Sequence, residues 1–109
     1  MNTDTLPAWH LKRTPESRMV EAKLREAGFE KVDAYRHNSA SLRVRIIDER
    51  FRGKSNEQRD DMVEQHLAQL PPDTQADIIN LILIYPGEEK VSHRAALFND
   101  DFEKAESNL

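Results

Sequence analysis

Six cations, Arg43, Arg45, Arg50, Arg52, Lys54 and Arg59, fall within 17 residues of the chain. Cations at that density are chemistry for anions, and phosphate is the anion that several arginines recognise best. Arg50, Arg52 and Lys54 crowd a loop that enters a helix, where backbone N–H groups and the helix dipole also favour negative charge. Asp48, Glu49, Glu57, Asp60 and Asp61 stand in the same region and oppose that use. Gly53-Lys54-Ser55 ends like a phosphate-cradling loop, but the full pattern needs a glycine five positions before Gly53, and Asp48 occupies that place. A turn glycine followed by a capping serine accounts for the three residues as well.

Other reactive groups are scattered. His10, His37, His66 and His93 include no pair at HxH or HxxxH spacing, and there is no cysteine. A metal site would therefore depend on tertiary convergence, and thiol nucleophiles, disulfides and Cys-ligated zinc are excluded. His66 reads as a histidine at the edge of the core. His37, placed in a hairpin loop, is the one histidine that a metal or ligand could reach. Ser39, Ser41 and Ser55 lack the strand-turn-helix setting of a nucleophile elbow. Asp60-Asp61 and Asp100-Asp101 are adjacent pairs, which diverge on a helix. The expectation is a binding module with no catalytic residues.

The elements that must position these groups follow from periodicity and punctuation. At 109 residues and 12.6 kDa the chain is sized for one domain with one modest core. Residues 1–13 lack sustained periodicity and read as a flexible arm, with Trp9 the side chain large enough to pin it. Thr14, Pro15 and Glu16 are an N-cap, N1 and first-turn acid, opening a helix that runs to Ala27 with Val20, Leu24 and Ala27 on its apolar side and Gly28 as its stop. Phe29 to Tyr35 reads as a strand. In Leu42-Arg43-Val44-Arg45-Ile46 apolar residues alternate with arginines, as a half-buried strand requires, so Arg36 to Ala40 becomes a five-residue hairpin loop. Ser55 with Gln58 is a capping box for a second helix over about 56–70, closed by Pro71-Pro72. Ile78 to Tyr85 reads as a strand buried on both faces, and Ser92 to Glu106 as a terminal helix with Ala95, Leu97, Phe98 and Phe102 on its sticky side. The order α-β-β-α-β with a helical tail gives an α+β fold: a three-stranded mixed sheet backed by helices, with a right-handed crossover between the second and third strands.

Charge is divided along this order. Residues 1–60 carry +3 and residues 61–109 carry −7, so an anionic partner should prefer the first half. The acidic stretch 91–109 could fold back over the basic strand and compete with such a partner. No apolar run approaches the ~20 residues of a membrane span, and no basic start leads into an apolar leader. The expected setting is cytoplasmic.

The segment Leu42 to Val63, LRVRIIDERFRGKSNEQRDDMV, resembles the BolA family, in which a hairpin strand leads into Phe-x-Gly-Lys-Ser and then a helix with an Arg-His pair. Phe51, Gly53, Lys54, Ser55 and Arg59 match in order and spacing. Lys23 to Ala27 before it, and the Ile/Leu strand ending Tyr85-Pro86-Gly87-Glu88-Glu89 after it, also match, so the resemblance covers about residues 16–90. It implies an α-β-β-α-α-β fold related to class II KH domains over residues 14–90. It also implies a small adaptor that pairs with monothiol glutaredoxins, can share a [2Fe–2S] cluster with them, and in some members binds DNA and regulates transcription. The family's histidine after the arginine falls on Asp60 here, and the His-Phe that opens the second strand is Ser41-Leu42. Asp is a poor cluster ligand, which leaves His37 alone in the loop that offers the other ligand. Two uses of the surface follow. A protein partner would contact Phe51, Arg52, Gly53, Lys54 and Arg59; a nucleic acid would lay its phosphates on Arg43, Arg45, Arg52, Lys54 and Arg59.

Overall fold

The computed structural model describes residues 7–105. Helix α1 (Pro15–Glu26) is followed by strands β1 (Lys31–Asn38) and β2 (Ser41–Ile47), helices α2 (Asn56–Leu67) and α3 (Pro72–Asp77), strand β3 (Ile78–Ile84) and helix α4 (His93–Lys104). Single 3₁₀ turns occupy Ala8–Lys12, Glu49–Phe51 and Glu88–Lys90. The sheet order is β1-β2-β3, with β1 antiparallel and β3 parallel to the central β2. The α+β class and the mixed three-stranded sheet are those expected from the sequence.

Helix starts sit where the capping residues put them. The Thr14 hydroxyl accepts from Ser17 N–H, and the Ser55 hydroxyl accepts from Gln58 N–H while Gln58 returns a bond to the Ser55 N–H. Gly28 takes φ +97° just beyond α1, a conformation that a side chain would strain. Helix α2 ends at Leu67 rather than at 70. Pro72 then serves as the first residue of α3, an element whose six residues are too few to show an apolar period.

Three expectations are corrected. The hairpin turns on Ser39 and Ala40 alone, not on five residues, because Asn38 Oδ1 accepts from Ala40 N–H at 2.9 Å and Arg36 Nη1 donates to the carbonyls of Asn38 and Ser39. This places His37 inside β1 instead of in a loop. Strand β3 is an edge strand, so only Ile82, Leu83 and Ile84 are buried while Ile79 is 65% exposed. The flexible arm expected over 1–13 is docked from Pro7 onward: Trp9 is buried and rests edge-on against Phe102 and stacked near Tyr35. Residues 1–6 of that arm lie outside the described residues.

The two faces of the sheet carry separate cores. Val32, Ala34, Leu42, Val44, Ile46 and Leu83 meet Val20 and Leu24 of α1 and Val63 of α2. On the opposite face Tyr35, Ile82 and Ile84 meet Trp9, Ala95 and Phe102. The acidic tail is thus a third layer, α4, lying on the sheet. Burying an aromatic such as Phe102 contributes roughly 2–3 kcal/mol, and Ala95 together with the Arg43–Asp101 and Arg45–Glu103 pairs adds to the attachment of α4. Among the described residues no helix is long and apolar enough to cross a membrane.

Candidate partner-binding surface

The cations divide into those turned inward and those left outside. Arg45 is 3% exposed and sits on the α4 face of β2. Its Nη2 donates to Asp33 Oδ2 at 2.8 Å on β1, and its Nη1 donates to Asn99 Oδ1 at 2.9 Å and to Glu103 of α4. Its guanidinium lies 4.4 Å from the centre of the Phe102 ring. Arg43, two residues earlier on the same face, donates to the Tyr35 hydroxyl at 3.0 Å and to the Asp101 carbonyl at 3.1 Å, and pairs with the Asp101 carboxylate. Burial raises the Tyr35 phenol above its ordinary pKa, against the opposing hydrogen bond from Arg43. The acidic helix therefore does fold over the basic strand, and the expected phosphate-binding face of Arg43 and Arg45 is occupied from within.

Arg59 is also internal. It donates from Nη1 to the Leu83 carbonyl at 2.9 Å and to Glu88 Oε1 at 2.7 Å, from Nη2 to Glu88 Oε2 at 3.2 Å, and from Nε to the Lys54 carbonyl at 3.0 Å. One side chain thereby joins α2, the edge of β3, the turn after β3 and the loop before α2. It positions the loop, with its guanidinium engaged inside the fold.

Phe51 is likewise a correction to the expected contact set. It is fully buried and stacks on Phe29 with ring centres 5.9 Å apart. Asp48 caps the 3₁₀ turn that leads to it. Burial would raise the Asp48 pKa, but hydrogen bonds from the Arg50 side chain and from the Arg50 and Glu30 N–H groups outweigh this and hold it below its ordinary value. What stands outside is Arg52, Gly53 and Lys54. Arg52 pairs with Glu49 and lies over the Tyr85 ring at 4.1 Å. The hydrogen bond between them raises the Arg52 pKa and lowers that of Glu49. Gly53 takes φ +78° with open space where a Cβ would be.

His37 does not fit the ligand role. Burial, together with the charges of Arg43 and Lys12, lowers its pKa, and its Nδ1 is enclosed without a hydrogen-bond partner. Asp101, the anion paired with Arg43, opposes this only in part, so the net surroundings of the imidazole disfavour an added positive charge. Asp60, at the position of the family's histidine, lies on α2 beside the outer edge of β3, whereas His37 is on β1 with β2 between them. The two positions do not converge, and the residues present do not fit a shared [2Fe–2S] cluster. Among the described residues no three His, Cys, Asp or Glu come together to hold a metal ion. His66 packs edge-on against Phe29 at the rim of the core.

The sequence gives no hint of a groove of about 160 Å³ along the outer edge of β3, walled by Asn56, Arg59 and Asp60 of α2 on one side and by Arg94, Ala95 and Phe98 of α4 on the other. Glu88, which also lines it, belongs to the Tyr85-Pro86-Gly87-Glu88 turn, where Gly87 takes φ +86° and Glu88 Oε1 accepts from Tyr85 N–H. No family model, no curated protein and no solved structure matches the chain.

Proposed function

We propose that this protein is a non-enzymatic, BolA-like adaptor or regulatory module that binds a protein partner through the Arg52–Lys54 turn and the adjoining helix α2. The observation that carries this reading is the way the turn is held. Buried Phe51 anchors its start, Arg59 holds the Lys54 carbonyl from below, and Ser55 caps the helix that follows, so the exposed Arg52-Gly53-Lys54 backbone is presented in one conformation. A pre-ordered loop loses little entropy on binding. The nucleic-acid alternative is weaker, because Arg43, Arg45 and Arg59 are neutralised by Asp101, Asp33, Glu103 and Glu88 within the fold.

A monothiol glutaredoxin is the partner that the BolA resemblance names, and the binding surface for it needs no resident cluster. Calorimetric titration of the protein with such a glutaredoxin, repeated with Arg52→Glu/Lys54→Glu, tests the reading. Saturable binding that weakens by about tenfold or more in the variant is expected, equivalent to about 1.4 kcal/mol. Equal binding by both proteins would remove the turn from the interface. Absence of binding would remove glutaredoxin as the partner.

A further inference from the structure

The two edges of the sheet are treated differently. At the β1 edge α1 supplies side chains to the outward backbone groups: Ala34 N–H donates to Glu21 Oε2 at 2.8 Å, and Arg25 Nη2 donates to the Val32 carbonyl at 2.8 Å. At β3 the Ile84 carbonyl accepts from Asp48 N–H at 3.0 Å on the β2 side. Backbone direction alternates along a strand, so Leu81, Leu83 and Tyr85 turn their groups outward. Arg59 takes the Leu83 carbonyl and Glu88 takes the Tyr85 N–H. At the other end a register shift against β2 between Leu42 and Arg43 puts the extra residue Ile79 into the strand. Between these closures lie the N–H and carbonyl of Leu81 and the N–H of Leu83, which by this alternation face away from β2 and which no side chain or loop among the described residues takes up.

Edges left open are normally guarded by charge or proline on the strand itself. Strand β3, Ile-Ile-Asn-Leu-Ile-Leu-Ile, has neither. We propose that this edge receives an extended segment of a partner protein as a fourth strand, with lysine or arginine alternating with apolar residues. Main-chain pairing with Leu81 and Leu83 would supply affinity, and alternate side chains would supply specificity.

The walls of the groove specify the alternation. On the α2 side stands Asp60, and Glu64 lines a second hollow beside Ile78, Ile79 and Leu81 at the start of the same strand. Helix α2 carries Glu57, Asp60, Asp61 and Glu64 with Arg59 as its one Lys or Arg, and Arg59 is already paired with Glu88. On the α4 side stand Ala95 and the half-exposed Phe98, with Arg94 lying over the Phe98 ring at 5.2 Å. Successive side chains of an added strand point to opposite faces, so one set meets carboxylates and the other meets Ala95 and Phe98. A second copy of this chain is a poor occupant, since its β3 offers no cation and its acidic half would face another.

The inference rests on the adaptor reading in that it calls for a protein partner; it shares helix α2 with that reading but does not use the Arg52–Lys54 turn. The probe is a fluorescein-labelled, acetylated and amidated heptapeptide of alternating lysine and valine, titrated against the full chain by anisotropy. Saturable binding is expected, weakened about tenfold or more when one alternate set of peptide amides is N-methylated and little changed when the other set is. Asp60→Lys/Glu64→Lys, both exposed positions, should also weaken it about tenfold or more, while Arg52→Glu/Lys54→Glu should not. Equal binding by both N-methylated peptides, or no binding up to about 1 mM, overturns the proposal. Loss of the peptide alone leaves the turn reading standing. Retained glutaredoxin binding by the turn variant, with the peptide bound at the edge, removes the turn reading alone.

Discussion

Arg45 of β2 donates a charge-assisted hydrogen bond to Glu103 of α4, 58 residues away in sequence, while its other terminal nitrogen holds Asp33 of β1. The pair fastens the terminal helix to the sheet and covers the face that would otherwise offer arginines to phosphate. Removing Arg45 strands Asp33 in a largely enclosed position. Arg45→Met should therefore cost about 3 kcal/mol, in the range for breaking a buried pair from one side. Glu103, whose side chain is 36% exposed, is screened by water, and Glu103→Gln should cost about 1 kcal/mol or less. Urea denaturation of the two variants and of the double variant checks both figures. Losses under about 0.5 kcal/mol in both would show that α4 is held by its other contacts, the packing of Phe102 and Ala95 and the Arg43–Asp101 pair, and not by Arg45.

Phe51 and Lys54 are three residues apart and have opposite duties. Phe51→Ala should cost about 3–5 kcal/mol, because a fully buried aromatic leaves a cavity beside Phe29. Lys54→Ala, at an exposed position, should change stability by less than about 0.5 kcal/mol and act on partner binding instead. Denaturation midpoints separate the two. A Phe51→Ala protein as stable as the parent would mean that the side chain is not the anchor of the turn.

Gly53 makes a cleaner test of the turn conformation. Nothing lies within 4 Å of the position a Cβ would take, so Gly53→Ala meets no neighbour and carries only the strain of φ +78°. The expected loss is about 1 kcal/mol, read from the same denaturation curves. A stabilised Gly53→Ala would show that the loop adopts a negative φ in solution and is not presented as described.

What was legible in the sequence is what local chemistry decides. Thr14 and Ser55 cap helices wherever the chain goes next, and the alternation from Leu42 to Ile46 makes a strand in any context. The site was less legible for a physical reason. An alternating Leu-Arg-Val-Arg-Ile strand reads the same whether its arginines face water, phosphate or an acidic helix, and only the packing of Phe102 and Trp9 on that face decides between them. Phe51 sits among charged residues, so its neighbours in sequence mark it as exposed while Phe29, 22 positions earlier, buries it. The open edge at Leu81 depends on which strand lies outermost, which no periodicity reports.

His37 gives the fold a pH dependence whose sign follows from its surroundings. Burial, then Arg43 and Lys12, lower its pKa from an ordinary value near 6.5. At a pH between the lowered value and the ordinary one, the unfolded chain binds the proton more readily than the folded chain. Stability then rises with pH through that window and is lost as pH falls below about 6.5. The urea midpoint of the wild type should drop between about pH 7 and pH 5.5, and His37→Gln should flatten that drop. His10, His66 and His93 are common to both proteins, so the difference between the curves isolates His37. Parallel curves would mean that the imidazole reaches solvent and that Arg43 and Lys12 do not act on it.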